Sequence, residues 1–318
     1  MNVTSNEYKN RHYPHVNITM PVFNRHDLTV ASILSVNKHT HAPYTLTVVD
    51  NGSDADLRKE LSALHKNNII HNLYFLDDNY GVSCACNVGW KLHESSVYMK
   101  LDNDIIALED AWLNNILLMW GKNRYRTLFG PIWNGDCPQC RHETARGVYW
   151  SLPISLSGPA FLVSRKVVEA IGFFSEDYGL YGEEDADYCL RCHHAGIRKY
   201  TYEAAGLIRH DGVNNAEYIE KGVDKSALHN KNVGAGAGAN RGIFALNLFL
   251  YENGLKSLNV PLKYEVENIS GHQVTVRERE DYKRHSLRLS RCLEVFNNAY
   301  PDREAMKSRM AELLAGPV

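Results

Sequence analysis

Residues 16–50 read VNITMPVFNRHDLTVASILSVNKHTHAPYTLTVVD, and they predict the unit from which the fold is built. The apolar, β-branched run through Pro21 predicts a buried strand. Residues 27–39 then place apolar side chains at helical spacing, and residues 44–50 predict a second buried strand. A strand, a helix and another strand in succession indicate two parallel strands joined by a crossover helix.

The same alternation continues to residue 105. Residues 54–67 predict a second helix with an acidic start, residues 69–78 a third strand, residues 81–95 a third helix and residues 96–105 a fourth strand. Repeated units of this kind predict an α/β fold with a mostly parallel sheet flanked by helices. Ligands of such sheets bind beyond the carboxyl ends of the strands, where Asp50, Asp102 and Asp104 all lie.

Bulk composition narrows the class of protein. The 318 residues carry a formal net charge of -2 at pH 7, which argues against a broad nucleic-acid-binding surface. The N-terminus has no basic start followed by an apolar core, and no run approaches the roughly 18 apolar residues that span a bilayer. The sequence therefore predicts a cytoplasmic protein. The basic stretch at 281–291 is either a solvated helix face or a peripheral contact with an anionic membrane or partner.

Two CxxC pairs stand out among the seven cysteines. Cys137 and Cys140 form one pair, and Cys189 and Cys192 form the other. Two such pairs can hold zinc, although the segment between them is far longer than in the usual zinc motifs. The second pair lies in a predicted helix, where the same spacing arises from a buried face. The cysteines are then small buried hydrophobes.

The carboxylates at 102 and 104 are the strongest chemical signal. Two carboxylates one residue apart at a strand end cannot both be buried without partners, because each would cost several kcal/mol. They face solvent, a cation or a ligand. Oxygen ligands suit Mg²⁺ or Mn²⁺ rather than zinc. The alternative for an isolated pair is a polar turn after a strand.

A second acidic group lies at residues 182–188, GEEDADY, at a predicted helix start. The helix dipole stabilises these carboxylates, and their mutual repulsion can raise one pKa toward the range of a general base. An ordinary acidic first turn is the alternative. His210 ends a later strand beside a turn, although a lone histidine is more often structural.

Six motifs in order resemble glycosyltransferase family 2, the inverting transferases of GT-A fold. They are ITMPVFNR at 18–25, VVDNGSDAD at 48–56, NYGVSCACNVGW at 79–90, KLDND at 100–104, LYGEEDADYCLR at 180–191 and GLIRHDG at 206–212. The resemblance covers about residues 15–212, the size of a whole domain.

The resemblance implies a role for each matching residue. The expected contacts to a nucleotide-sugar donor, UDP- or dTDP-linked, come from Pro21, Val22, Phe23, Asn24, Asp50, Asn79, Gly81, Asn87, Asp102 and Asn103. Asp104 and His210, with Asp102 beside them, would hold Mn²⁺ or Mg²⁺. Asp185 would be the general base and Glu184 would orient the acceptor. Cys86 stands where many members carry arginine, so a phosphate or base contact usual there is missing or supplied elsewhere.

Four segments follow from these patterns. We expect an N-terminal tail at 1–14, the GT-A domain at 15–212, a glycine-rich lid or flexible linker at 213–242, and a C-terminal α+β extension at 243–318 with helices and a hairpin. The extension would build the acceptor site, a homodimer interface or a membrane contact.

The sequence predicts a metal-dependent inverting glycosyltransferase whose acceptor is a glycan, lipid-linked or other hydroxyl. The alternative is a non-catalytic sugar-nucleotide or glycan-binding protein, although binding alone does not need the acidic group at 182–188. A sugar nucleotidyltransferase is disfavoured, because residues 20–27 lack the glycine-rich, basic phosphate loop that such an enzyme needs.

Overall fold

The computed structural model describes residues 13–121, 126–133, 140–144, 147–151, 156, 158–212, 239–298 and 302–316. The strands are β1 Val16–Val22, β2 Tyr44–Asn51, β3 Asn72–Leu76, β4 Val97–Leu101, β5 Ile105–Ala107, β6 Leu128–Ile132, β7 Arg141–Thr144, β8 Gly147–Ser151, β9 Ala160–Ser164, β10 Lys199–Glu203, β11 Ile208–His210, β12 Tyr264–Ser270 and β13 Gln273–Glu278. The helices are α1 His26–His39, α2 Ala55–Lys66, α3 Val82–Leu92, α4 Trp112–Gly121, α5 Arg165–Ile171, α6 Glu184–His194, α7 Ala239–Glu252, α8 Glu280–Asn297 and α9 Arg303–Ala315.

One large sheet organises these elements. Its strand order is β12-β13-β3-β2-β1-β4-β9-β6-β10-β8-β7. Strands β13, β3, β2, β1 and β4 run parallel to one another, and β9 is antiparallel to both β4 and β6. Strands β5 and β11 form a separate antiparallel pair. The predicted α/β class, with a largely parallel central sheet flanked by helices, is confirmed.

Strand β1 is buried on both faces, as its apolar run predicts. On one face Ile18 and Met20 join the largest apolar cluster. On the other face Thr19 meets α3 so closely that a Cβ on Gly89 would lie 2.5 Å from Thr19 Cγ2. Glycine at this position therefore lets helix and strand pack in contact. The Asn17 amide adds a hydrogen bond of 3.1 Å to the Gly89 carbonyl.

The C-terminal hairpin lengthens the central sheet. Residues 243–318 are predicted as a C-terminal extension, and in the structure β13 of this segment pairs in parallel with β3, matching Gln273 with Phe75. The Phe75 amide donates a hydrogen bond of 2.7 Å to the His272 carbonyl. Helices α7, α8 and α9 form an apolar cluster that includes Leu246 and Met310. The extension is thus joined to the rest of the chain through the sheet.

Two predicted segments fall mostly outside the described residues. These are the N-terminal tail, of which residues 1–12 are not described, and the glycine-rich lid, of which residues 213–238 are not described. Within the described ranges, none of the helices combines the length and the apolar character that crossing a bilayer requires.

Candidate functional site

The turn after β1 lies at the carboxyl edge of the sheet. Asn24 and Arg25 both have left-handed backbones, with φ of 53° and 60°. This conformation costs a non-glycine residue on the order of 1–2 kcal/mol. Two contacts hold it: the Asn24 amide donates to Ser53 Oγ at 2.8 Å, and Thr29 Oγ1 donates to the Asn24 carbonyl at 3.0 Å. The Asn103 side chain donates to Thr29 Oγ1 at 2.7 Å, which ties the turn to the segment after β4.

The turn aims Arg25 at Asp104. Arg25 Nη1 lies 2.5 Å from Asp104 Oδ2, and His210 Nε2 lies 3.3 Å from Asp104 Oδ1. The pairing of β5 with β11 sets His210 opposite Ile105, which explains why residues so distant in sequence meet. Burial alone raises the pKa of Asp104, but His210 and Arg25 outweigh burial and hold that pKa below its ordinary value. The same contact raises the pKa of His210.

The space between Asp104 and His210 fits a divalent cation. Asp104 Oδ1 is buried, and no hydrogen bond of normal geometry reaches it from the described residues. A Cβ on Gly212 would lie 2.6 Å from Asp104 Oδ2 and still nearer to His210 Nε2, so glycine keeps this space open. The described ranges hold no cluster of three or more His, Cys, Asp or Glu arranged as a metal site. Asp104 and His210 thus offer two ligands, which suits an ion that takes its other ligands from substrate phosphates and water.

Asp102 belongs to a different contact. Its Oδ1 lies 2.5 Å from Lys100 Nζ, and its side chain is 27% exposed. Lys100 is buried within β4, and it also donates to the Gly158 carbonyl at 3.1 Å. The Asp102 amide donates to the Pro159 carbonyl at 2.8 Å. Lys100 is not among the residues predicted from the sequence, although a lysine inside a fully buried strand signals a carboxylate partner.

Glu184 and Asp185 begin α6 beside the turn at Gly158. Glu184 is buried and accepts a hydrogen bond of 2.8 Å from the Gly182 amide. Burial, with the charge of Asp185, raises the pKa of Glu184 to about 7. Asp185 is half-buried, and a Cβ on Gly158 would lie 2.9 Å from its Oδ2. The turn that accepts the Lys100 hydrogen bond therefore also packs against Asp185.

Asp50 is buried at the end of β2. Its Oδ2 accepts a hydrogen bond of 2.8 Å from Arg58 Nε, and both oxygens lie 3.3 Å from the Ser53 amide. Burial raises the pKa of Asp50 despite these partners. Arg58 also donates to the Leu76 carbonyl, and its guanidinium lies 5.3 Å from the Phe75 ring centroid. The residue expected to contact the nucleoside base is thus held by an arginine that the sequence analysis did not single out.

Asn79 and Gly81 form a turn beside Asp50's strand. Asn79 Oδ1 accepts hydrogen bonds from the Asn51 side chain at 2.8 Å and from the Gly81 amide at 3.0 Å. Gly81 has φ of 93°, and a Cβ there would collide with the Gly179 carbonyl oxygen. The structure therefore brings this turn against the segment that leads into α6.

Asn87 does not join the group around Asp104. Its amide exchanges hydrogen bonds of 3.0 Å with the backbone of Phe174 and donates to Glu176 Oε1 at 2.8 Å. The side chain is buried and holds α3 to the segment before α6. Cys86 is buried beside it, and burial raises the pKa of its thiol, as expected of a small core residue.

The remaining residues expected to contact the donor differ in exposure. Pro21 and Val22 are buried inside β1, whereas Phe23 is 41% exposed at its end. Cys189 and Cys192 are buried, and Cys189 Sγ accepts a hydrogen bond of 3.3 Å from the Leu156 amide. Cys137 lies outside the described residues, so a zinc site shared with it stays a prediction.

Comparison with known proteins finds a match to a family model and a shared fold. The family model described as Glycosyl transferase family 2 matches residues 17–171. An uncharacterized glycosyltransferase of Rickettsia bellii is 33% identical over 89 residues, which is 28% of this chain and 13% of that protein. One from Rickettsia felis is 30% identical over 99 residues, 31% of this chain and 16% of that protein. The chain thus spans well under a fifth of the length of the curated relatives it matches.

Two solved structures resemble the chain more broadly. The mannosyltransferase PcManGT from Pyrobaculum calidifontis, in complex with GDP-Man and Mn²⁺, matches with a TM-score of 0.55 and 14% identity over 96% of this chain and 77% of that chain. GalNAc-T7 with UDP, GalNAc and Mn²⁺ matches with a TM-score of 0.53 and 14% identity over 61% of this chain and 43% of that chain. At these identities the likeness concerns the fold, which is the GT-A fold of these glycosyltransferases.

Proposed function

Because residues 17–171 match the model of glycosyl transferase family 2, we propose that the protein is a metal-dependent inverting glycosyltransferase. It transfers a sugar from a nucleotide-sugar donor to an acceptor hydroxyl. One observation carries the proposal: Gly212 keeps open a gap between Asp104 and His210, at the edge where the acidic residues of α6 also lie. A cation site and a candidate base at one edge are what the reaction needs.

The donor's leaving group determines the role of the cation. A nucleoside diphosphate leaves with concentrated negative charge. Asp104 and His210 would hold Mn²⁺ or Mg²⁺, and the ion would supply a Lewis acid that stabilises this charge. Asp102, partly exposed and fixed by Lys100, contacts the ribose or the donor sugar. The Mn²⁺ and nucleotides of the two similar structures support this assignment. UDP- or dTDP-linked sugars are the expected donors, and GDP-linked sugars belong in the same screen.

The nucleoside lies along the ends of β1, β2 and β3 in this proposal. Phe23 offers an exposed ring there, and the Asn24 turn and the Asn79–Gly81 turn supply backbone contacts. The Asp50 carboxylate is buried and already accepts a hydrogen bond from Arg58. It can accept one from the base only if Arg58 moves away from one of its oxygens.

Asp185 is the general base in this mechanism. The acceptor hydroxyl has a pKa far above neutral, so it needs a carboxylate that faces the substrate as the bond to the sugar forms. Asp185 is half-buried and accessible, whereas Glu184 is buried and suited to orienting the acceptor. Attack opposite the diphosphate inverts the anomeric centre.

A non-catalytic sugar-nucleotide or glycan-binding protein is the second candidate. A binding protein gains nothing from a buried carboxylate whose pKa is raised to about 7 beside a second, accessible carboxylate. That pair favours the enzyme. A peripheral membrane contact or a homodimer through the C-terminal helices stays a prediction.

Donor binding and turnover test the proposal together. We expect one of the UDP-, dTDP- or GDP-linked sugars to bind in calorimetry only with Mn²⁺ or Mg²⁺, and to be hydrolysed slowly or transferred. Asp104→Ala should abolish the metal-dependent binding, whereas Asp110→Ala, at an exposed carboxylate paired with His39, should leave binding unchanged. Metal-independent binding in both variants would contradict the cation site.

Asp185→Asn separates the enzyme from the binding protein. It should leave donor binding nearly intact and slow transfer by at least ~10²-fold, the usual scale of general-base catalysis. Glu183→Gln, two residues before Asp185, is the control, because it removes the same charge from a neighbouring carboxylate. Normal transfer by Asp185→Asn would refute the assignment of the base, and donor binding by the unaltered protein without any turnover would favour the binding protein.

A further inference from the structure

Hydrogen bonds fix the backbone of the turn that carries Arg25. The left-handed conformations of Asn24 and Arg25 persist because Ser53, Thr29 and Asn103 hold the turn from three sides. Strain that is retained in this way usually serves the placement of a side chain. Here the turn brings a guanidinium to a carboxylate 79 residues further along the chain.

That carboxylate is the proposed cation ligand. Arg25 Nη1 lies 2.5 Å from Asp104 Oδ2, and the side chains are 25% and 7% exposed. A divalent ion on Asp104 and a guanidinium in direct contact with it repel each other strongly at this depth. An ion bound through Asp104 Oδ1 therefore favours the release of Arg25 from Oδ2 by charge repulsion.

The other positively charged side chains described at this edge are paired with carboxylates other than the proposed metal ligand Asp104. Lys100 is buried against Asp102, Arg58 is paired with Asp50, and Arg209 is paired with Asp211. Arg25, by contrast, is paired with Asp104, the carboxylate that is proposed to bind the metal. Its planar fork matches two phosphate oxygens, the geometry that makes arginine a frequent ligand of phosphates.

From this geometry we infer that Arg25 has two positions in the catalytic cycle. It neutralises Asp104 in the donor-free protein, and it binds the donor's diphosphate once a divalent cation has replaced it at Asp104. The inference rests on the proposed function. It assigns Arg25 as a diphosphate ligand, and it makes the metal and the donor bind cooperatively, because the metal releases the arginine that the diphosphate needs.

Arg25→Gln tests the inference through two affinities that should change in opposite directions. Without nucleotide, Mn²⁺ binding followed by electron paramagnetic resonance should tighten several-fold, because the competing cation is gone. In saturating Mn²⁺, the affinity for UDP, dTDP or GDP, whichever the unaltered protein binds best, should weaken about tenfold, the scale of one charge-assisted hydrogen bond. A side chain with only a structural role would not move the two affinities in opposite directions.

Arg209→Gln is the matched control, because it removes a positive charge near the site without touching the side chain of Asp104. Its Mn²⁺ affinity should stay within about twofold of the unaltered protein, as expected for a solvent-exposed charge. Arg25→Lys keeps the charge but loses the fork, so it should restore the Mn²⁺ affinity and leave nucleotide affinity reduced.

Two results would overturn the inference. One is Mn²⁺ affinity in Arg25→Gln that is unchanged or weaker, including no Mn²⁺ binding by either protein. The other is unchanged nucleotide affinity in that variant. If the unaltered protein binds none of the three nucleotides with Mn²⁺, the proposed function fails, and the nucleotide-free Mn²⁺ measurement still decides whether Arg25 and the metal compete for Asp104.

Discussion

Two buried carboxylates, Asp177 and Asp104, differ in whether both side-chain oxygens have hydrogen-bond partners among the described residues. Asp177, whose side chain is 1% exposed, receives Lys256 Nζ at 2.7 Å, the Tyr282 hydroxyl at 2.9 Å and His285 Nε2 at 3.1 Å. Asp104 is nearly as buried, yet its Oδ1 accepts no hydrogen bond of normal geometry from the described residues. Asp177 thus has all its partners within the chain, whereas Asp104 has an oxygen that can still accept a ligand.

The group around Asp177 has a structural purpose. Lys256 also donates to Asn247, Asn247 donates to the Tyr178 hydroxyl, and Tyr178 donates to Asp187. This network joins the C-terminal helices α7 and α8 to the start of α6. Its members satisfy one another, which is how buried charges are tolerated in a folded protein. Burial alone therefore does not distinguish Asp104 from a structural carboxylate such as Asp177, whereas the Oδ1 of Asp104, which lacks such a hydrogen bond among the described residues, does.

Asp177→Ala should have the largest effect on stability. It leaves Lys256 and His285 without their shared carboxylate, so we expect a loss of about 3–5 kcal/mol in the free energy of unfolding. Asp104→Ala should cost much less, because the Arg25 and His210 side chains it releases are partly exposed. Urea unfolding of both variants measures the difference. Equal losses would remove the distinction between the two groups.

Glu184 is a third buried carboxylate, and it should make the stability of the protein depend on pH. Its pKa is raised from 4.5 to about 7, so between these pH values the folded state keeps a proton that the unfolded chain has released. The free energy of unfolding therefore falls as pH rises through this window, by an amount on the order of 3 kcal/mol, and levels off above it. Glu184→Gln keeps an acceptor for the Gly182 amide and should remove that fall.

Unfolding in urea at pH 5 and pH 8 measures this effect. Glu183→Gln, at the half-exposed carboxylate one residue earlier, should show the same fall as the unaltered protein. If Glu184→Gln keeps the full pH dependence, Glu184 is ionised throughout the window.

Gly212→Ala should give the smallest effect. A methyl group there would fill the space between Asp104 and His210, so Mn²⁺ affinity should fall about tenfold, or about 1.4 kcal/mol. Gly242→Ala is the matched control, because its Cβ would meet only Leu293 Cδ1, at 3.8 Å. Electron paramagnetic resonance titration of Mn²⁺ measures both. Unchanged affinity in Gly212→Ala would mean that the cation binds elsewhere.

The sequence predicts the first four strands and the first three helices well, because their apolar periodicity is local. It also points to Asp104 and His210, through the order of the motifs. It misses Arg25, since nothing local distinguishes an arginine in a turn from any other exposed arginine. It points to Asp50 as a donor contact but misses its pairing with Arg58, because Arg58 reads as an ordinary helix residue.

The sequence also does not predict which distant strands pair with each other. The pattern at 263–279 predicts a hairpin, but alternation within the hairpin carries no information on which distant strand it meets. Its contact with β3 depends on geometry that several intervening elements create. Lys100 is the exception that the sequence could have revealed, because a charged residue within a run of buried strand positions demands a partner.

The pairing of β3 with β13 also has a consequence for the newly made chain. His272 and Leu73 share a hydrogen bond across 199 residues of sequence. At the usual speed of synthesis the apolar strand β3 waits roughly 10–40 s for that neighbour. During this interval β3 is an open edge, the feature through which unrelated chains associate. The sequence separation of β3 and the hairpin thus sets how long the outer edge of β3 stays without its partner strand during synthesis.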